Sequence, residues 1–308
     1  MSALPAGERI VLVTGISGSG KSVVMNALED AGYYCVDNLP PELLQAFLQL
    51  ERGKGQKRLA VAADVRSTGS PSMLATQLRD LRLQGLPIQA IFLEAGTEAL
   101  IRRFSESRCP HPLSGEGRLQ PLPAAQGAPA GAGPSRNLVD AIALERELMA
   151  ELRESATVLD TSDLRPAQLR DWVRDLLSIP HGRLTLVFES FAYKHGVPLD
   201  ADFVFDVRVL PNPYYLRELR PQTGRDSGVM EYLRNQPEAQ QMVHHISVFI
   251  RRWLQGFQGD QRSYLTVAIG CTGGQHRSVY VAEQVAALFA PQLVTLVRHR
   301  ELDGRSPS

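Results

Sequence analysis

The chain has 308 residues, a length that suggests two domains at roughly 150 residues each. It carries 33 Lys+Arg against 33 Asp+Glu, so its composition excludes the global basic field that gathers nucleic acid. Its 44% hydrophobic residues are enough for two cores, and no apolar run is long enough to span a bilayer. The opening residues lack the basic start and apolar stretch of a signal peptide. Three scattered cysteines, Cys35, Cys109 and Cys271, form neither a zinc pattern nor a C-x-x-C pair. The expectation is a soluble, cytoplasmic protein of a reducing compartment, with no membrane partner.

The first element is an apolar run, Ile10 to Val13, which reads as a buried parallel strand. It enters Gly15-Ile16-Ser17-Gly18-Ser19-Gly20-Lys21-Ser22, a complete G-x-x-x-x-G-K-[ST] phosphate loop, and a helix follows from Ser22 to about Asp30. In such a loop, backbone N–H groups and the helix N-terminus point at a polyphosphate. Lys21 is expected on the β- and γ-phosphates as a catalytic charge, and the Ser22 hydroxyl on Mg²⁺. The alternative is a glycine turn with no ligand. The strand before it and the Lys-Ser ending favour a nucleotide.

Tyr33 to Asn38 reads as a short strand stopped by Pro40-Pro41, and Glu42 to Leu50 has helical spacing. Leu59 to Asp64 is an apolar strand ending in a carboxylate. Met73 to Leu83 reads as a helix and Ile88 to Glu94 as another strand. Strands separated by helices of this length imply right-handed crossovers and a parallel sheet, with ligands beyond the carboxyl ends of the strands. Asp64 is the first choice for the Mg²⁺-associated acid, Asp37 is nearly as good, and Glu94 reads as structural. Around a helix over Ala99 to Arg108, Arg102, Arg103 and Arg108 read either as a phosphate-clamping lid or as a solvated basic face. Ser114 to Arg136 is rich in Gly, Ala and Pro without periodicity, and is expected to be a disordered loop. Leu138 to Glu154 reads as a helix, Thr157 to Asp160 as a strand and Pro166 to Leu177 as a helix. The domain boundary is placed after Pro180.

The expected second domain, 181–308, opens with a strand over Leu184 to Glu189 and a loop over Ser190 to Gly196. A strand from Phe203 to Val209 runs into Leu210-Pro211-Asn212-Pro213. Later, the apolar run Leu265 to Ile269 enters Gly270-Cys271-Thr272-Gly273-Gly274-Gln275-His276-Arg277-Ser278, and a helix continues to Phe289. A glycine-rich turn between strand and helix, with a cation, is a second anion-binding pattern. Cys271 and Arg277 also have the C-x5-R spacing of thiolate phosphatases, although Gly270 precedes the cysteine and no general-acid loop is visible. Phosphate binding, phosphatase chemistry and a structural turn all remain open. His195 and His276 follow apolar strands and are candidates for one pocket.

These residues together resemble the RapZ/YvcJ family of bacterial RNase adapter and nucleotide-binding proteins. The matches run through Gly15–Ser22, the stretch Gly32 to Pro41, Asp64-Val65-Arg66-Ser67, Arg102 to Glu106, Asp160 to Ser162, Tyr193-Lys194-His195-Gly196, Leu210 to Pro213 and Cys271 to Ser278. The resemblance implies an α/β protein with an N-terminal P-loop kinase-like parallel-sheet domain and a smaller second α/β domain. It implies ATP and GTP binding with slow hydrolysis of both, ATP phosphates on Gly15 to Ser22, and a guanine-nucleotide contact on Asp64 to Ser67. It also implies a C-terminal domain that senses a sugar phosphate such as glucosamine-6-phosphate. Its candidate contacts are Lys194, His195, Asn212, Thr272, Gly273, Gly274, His276 and Arg277. Small RNA, a ribonuclease and further copies of the chain are the implied partners. Two stretches depart from the family: Ser107 to Leu113 and the tail Arg298 to Arg305 are less basic than usual. Arg251, Arg252, Arg262, Arg298 and Arg300 are the candidates for a basic RNA-binding stripe.

Overall fold

A computed structural model describes residues 7–63, 71–107, 110–114, 137–178, 184–259 and 264–302. The chain divides into two compact units, Met1–Arg174 and Asp175–Ser308. The expected boundary after Pro180 lies outside the described residues.

Unit 1 is a five-stranded parallel sheet in the order β2-β3-β1-β4-β5. Its strands are β1 (Arg9–Gly15), β2 (Tyr34–Val36), β3 (Arg58–Ala62), β4 (Ile88–Glu94) and β5 (Thr157–Asp160). All seven residues of β1 and of β4 are buried, the signature of a parallel strand covered on both faces, and this is why they read as unbroken apolar runs. The covering helices are α1 (Lys21–Asp30), α2 (Leu44–Gly53), α3 (Pro71–Leu83), α4 (Thr97–Ser107) and α5 (Leu138–Glu154), and α6 (Pro166–Ser178) begins in unit 1 and ends past Arg174. One core joins Ile10, Leu12, Val61 and Phe92 of the sheet to Leu78 of α3 and Ile142 and Met149 of α5. Each such side chain contributes roughly 1.5–3 kcal/mol by leaving water.

α5 begins where Asn137 accepts the Asp140 amide at 2.9 Å, a side-chain N-cap that fixes its start. Ser114 was expected in a disordered loop. Its amide instead donates to the His111 carbonyl at 3.0 Å, closing a turn. The rest of that stretch, 115–136, lies outside the described residues, as do Asp64, Val65, Arg66, Ser67, Arg108 and Cys109.

Unit 2 is a four-stranded parallel sheet in the order β7-β8-β6-β9. Its strands are β6 (Thr185–Ala192), β7 (Phe203–Asp206), β8 (Tyr264–Cys271) and β9 (Val294–His299), with helices α7 (Ser227–Arg234), α8 (Pro237–Gly259) and α9 (Arg277–Phe289). Leu186, Phe188, Val267 and Ile269 pack with Ile246 and Ile250 of α8 and Val281, Val285 and Phe289 of α9. β6 runs three residues beyond the expected strand because Ser190, Phe191 and Ala192 still pair with Ile269, Gly270 and Cys271. Arg298 and His299, the first residues of the tail, close β9, an edge strand paired to β6. Among the described residues, no helix is long and apolar enough to cross a membrane.

Candidate functional site

In unit 1 the phosphate loop leaves β1 at Gly15, where φ is +136° and a Cβ would fall on the Leu93 carbonyl of the neighbouring strand. Only glycine lets the turn start this close to β4. The carbonyls of the loop have donors. Lys21 Nζ reaches the Gly15 and Ile16 carbonyls at 2.8 and 3.3 Å, Arg103 Nη1 reaches Gly18 at 3.1 Å, and Thr161 Oγ1 reaches Ser19 at 2.8 Å. Pinning carbonyls in this way turns the peptide planes of the loop, and the start of α1 follows directly.

Gly18, Gly20, Lys21 and Ser22 line a cleft of about 460 Å³ together with Asp37, Asn38, Arg103, Phe104 and Ser107. Asp37 therefore stands in the same cleft as the phosphate loop, directly after β2. Asn38 adopts φ +53°, the left-handed conformation that asparagine tolerates best among residues with a side chain. Arg103 lies on the loop itself. It also donates to the Thr161 hydroxyl and carbonyl, so it bridges the loop to the end of β5. Arg102 is exposed. Glu94 pairs with Arg146 and Arg153 at 3.3 and 2.7 Å, a structural placement at the end of β4.

Sequence reasoning missed the residues beneath the loop. Glu145 of α5 is fully buried and accepts from the Ser17 amide at 3.0 and 3.1 Å and from the Ser17 hydroxyl at 2.8 Å. His111 Nε2 lies 3.0 Å from the same carboxylate, and the Leu113 amide donates to His111 Nδ1 at 3.1 Å. Burial pushes the Glu145 carboxyl up, but the donors from His111 and Ser17 and the charge of Lys21 outweigh it and hold it below the usual range. Sequence separations of 34 and 128 residues leave no spacing signal from which this cluster could be read.

In unit 2 the sugar-phosphate candidates gather beyond the strand ends. Thr272, Gly273 and Gly274 form the turn from β8 into α9. Gly274 has φ +65°, and a Cβ there would strike Glu301 and sit 3.0 Å from the Ala192 amide nitrogen. Cys271 is buried. Its sulfur accepts the Gly274 amide at 3.2 Å and lies 3.1 Å from Ser278 Oγ. Lys194 and His195 occupy a single 3-10 turn after β6, where His195 Nδ1 meets Glu301 at 2.8 Å. Glu301 thus touches the segments that carry His195 and Gly274. Asn212 accepts the Tyr214 amide at 3.3 Å and starts another short turn.

Arg277, 6% exposed, donates to the carbonyls of Arg208 and Leu210 at 2.7 and 3.0 Å. It ties the segment after β7 to the glycine turn. Burial lowers the pKa of His276, against the pull of the Leu219, Gln222 and Arg220 carbonyls, and Arg277 lowers it further. Of the proposed basic stripe, Arg298 and Arg300 have almost no exposed side chain and lie 3.8 Å from Glu189, with Asp200 equally close to Arg298. Arg262 lies outside the described residues. Arg251 sits over the Phe289 ring at 4.9 Å. Ser190, His299 and Glu283 also form a relay, at 2.7 and 3.1 Å, that the sequence did not announce. Ser190 is completely buried, so its hydroxyl is not presented to a substrate.

Residues 8–122 match the RapZ-like N-terminal domain, and residues 184–303 match the RapZ C-terminal domain. A nucleotide-binding protein of Methylibium petroleiphilum is 61% identical across 98% of this chain and 97% of its own length. One of Leptothrix cholodnii is 57% identical across 99% and 92%. The chain belongs to the RapZ-like family of nucleotide-binding proteins. Solved structures to which it is similar include a shikimate kinase from Acinetobacter baumannii (16% identity, 56% of this chain and 92% of that one, TM-score 0.32). A gluconokinase from Sinorhizobium meliloti is another (18%, 57% and 94%, TM-score 0.33).

Proposed function

We propose that this RapZ-like protein is a regulatory adapter that binds ATP and GTP, hydrolyses them slowly, and answers to a sugar phosphate. The observation that carries this reading is the cleft in which the amide-rich turn Gly15 to Ser22 and the Lys21 ammonium meet. A polyphosphate there takes Lys21 from the Gly15 and Ile16 carbonyls, and the loop amides hold its oxygens. Magnesium binds through one or two protein oxygens plus phosphates and keeps several waters. Ser22, with Asp37 in the same cleft, fits that habit, as does Asp64 on sequence grounds. When bound, the ion would neutralise charge on the phosphates. Among the described residues, no cluster of three or more His, Cys, Asp or Glu side chains supplies a closed metal cage.

Slow turnover follows from how the cleft is furnished. Phosphoryl transfer is accelerated by positioning and by charge placed on the transferring group. Arg103 is held across two segments by the Gly18 carbonyl and the Thr161 hydroxyl and carbonyl, whereas Lys21 rests on carbonyls of its own loop, which leaves Lys21 as the principal cation among the described residues of the cleft. The guanine contact on Asp64 to Ser67, the ribonuclease partner and self-association rest on the family resemblance, while the domain limits 1–180 and 181–308 and the cytoplasmic location rest on the pattern of the sequence. The contacts assigned to Lys194, His195, Asn212, Thr272, Gly273, Gly274 and His276 are supported by their gathering at the strand ends of unit 2; Arg277, whose guanidinium serves the Arg208 and Leu210 carbonyls, is supported as the framework of that turn and not as a direct contact. RNA binding has thinner support, because Arg298 and Arg300 are taken up by buried acids. The phosphatase alternative loses support for a similar reason: Cys271 is buried and Arg277 serves carbonyls.

One observation favours a second reading. Asp37 shares the cleft with Lys21, where it could take a proton from an acceptor hydroxyl of a small-molecule kinase substrate. ADP release with and without sugar acceptors separates the two. The adapter reading expects slow release that acceptors leave unchanged, and acceleration by orders of magnitude overturns it in favour of the kinase.

A further inference from the structure

The phosphate loop rests on an anion. Ser17 gives both its amide and its hydroxyl proton to Glu145, and the carboxylate is completely shut off from water. The third donor is His111. Its Nδ1 accepts the Leu113 amide, so the proton facing Glu145 is on Nε2 and the ring enters as a neutral donor. Phe104 packs 5.2 Å from the His111 ring and would lie 3.1 Å from a Cβ at Gly18, filling the space between imidazole and loop. A carboxylate held by neutral donors keeps its full charge. That charge acts on Lys21, the cation meant for the phosphates.

Two effects follow. Both Ser17 donors end on one rigid carboxylate, which fixes the third residue of the loop. The negative charge also opposes each phosphate oxygen brought to the other side of the turn, and buried charges are screened far less than exposed ones. A neutral amide in the same place would supply the first effect without the second. We propose that Glu145 is a positioning residue of the nucleotide site, with His111 as its orienting partner, and that its buried charge loosens the loop's hold on nucleotide in proportion to the phosphate charge. The inference rests on the reading that nucleotide phosphates sit on Gly15 to Ser22. A loop loosened in this way exchanges nucleotide readily, as a sensor must.

The test compares the full-length wild type with the pair Glu145→Gln and His111→Leu, and with Lys21→Ala, titrated with ATP, ADP and AMP in the presence of Mg²⁺, beside a thermal melt of each. Glu145→Gln keeps an oxygen for both Ser17 donors and removes the charge. Its new amide nitrogen would face the His111 Nε2–H, so His111→Leu is combined with it to remove that donor clash. The pair is expected to bind ATP at least about fivefold more tightly, with a smaller gain for ADP and the least for AMP. A merely structural role would weaken all three nucleotides alike. Unchanged or weaker ATP binding, or an equal gain for all three, overturns the proposal. If that pair does not fold, His111→Leu with Glu145→Met removes the charge and keeps the volume apolar, and it is read by the same ordering of gains. Lys21→Ala checks the underlying reading separately. If ATP binding survives that change, the assignment of the loop itself fails. If binding is lost in Lys21→Ala while the pair shows no graded gain, only the present proposal falls.

Discussion

Arg277 separates a framework role from a ligand role more sharply than any other residue of unit 2. The guanidinium spans from the start of α9 to the carbonyls of Arg208 and Leu210, and it is almost wholly buried. Arg277→Ala removes two hydrogen bonds to a cation, worth roughly 1.5–3 kcal/mol each, and leaves two carbonyls short of a partner. Its Nε is buried without a hydrogen-bonding partner, so removing the side chain also relieves a desolvation penalty. The net loss expected is about 3–4 kcal/mol. With a urea slope of roughly 1–2 kcal/mol per molar for a unit of this size, the midpoint should fall by about 2 M. Trp172 lies in unit 1 and Trp253 in α8 of unit 2, so a Trp172→Phe background leaves Trp253 to report on unit 2 alone. Glucosamine-6-phosphate binding measured on the same samples completes the experiment. A midpoint within about 0.5 M of the parent, with sugar-phosphate binding lost, would refute the framework reasoning, because the guanidinium would then be acting on the ligand.

At the other loop, Gly15→Ala places a methyl on the Leu93 backbone in a conformation that L-residues avoid. A loss above about 3 kcal/mol in unit 1 is expected by thermal melt, together with loss of nucleotide binding, and an unchanged melt contradicts it. Burial holds the folded-state pKa of His276 below its ordinary value of about 6.5. The unfolded chain then binds more protons in that window, so stability from this residue is complete above about pH 6.5 and is lost as pH falls through the folded value. Urea midpoints of unit 2 should drop between pH 7.5 and 5.5, and His276→Gln should flatten that slope; an equal slope in the variant contradicts the assignment. Glu145 is depressed in its turn, so its contribution stays complete above about pH 4.3 and fades below it. Acid titration of unit 1, with Glu145→Gln as the comparison, should show a shallower loss in the variant.

The chain made its parallel strands legible because β1, β4, β6 and β8 are buried on both faces, and a strand so placed can afford no polar alternation. The phosphate loop was legible for a related reason: each residue type in it answers a local demand of the turn. β9 was hidden because its end, Arg298-His299, is polar, and a polar segment reads as surface. Those side chains are buried because Glu189, Asp200, Glu283 and Ser190 come to meet them from elsewhere in the sequence. The cluster under the phosphate loop was hidden in the same way. Glu145 is one polar position among several on a helix until the fold brings Ser17 and His111 to it. Arg103 reads from the sequence either as a lid arginine or as part of a solvated basic face, and geometry instead ties it to the loop carbonyl of Gly18.

The most direct test of the whole account is a calorimetric titration of MgATP into the full-length protein beside Lys21→Ala. The account predicts saturable binding by the wild type and at least about a hundredfold weakening in the variant, because the ammonium between the Gly15 and Ile16 carbonyls is the principal cation on the phosphates. Equal affinities in the two proteins, with both melting normally, would place the nucleotide somewhere other than Gly15 to Ser22 and contradict the account at its centre.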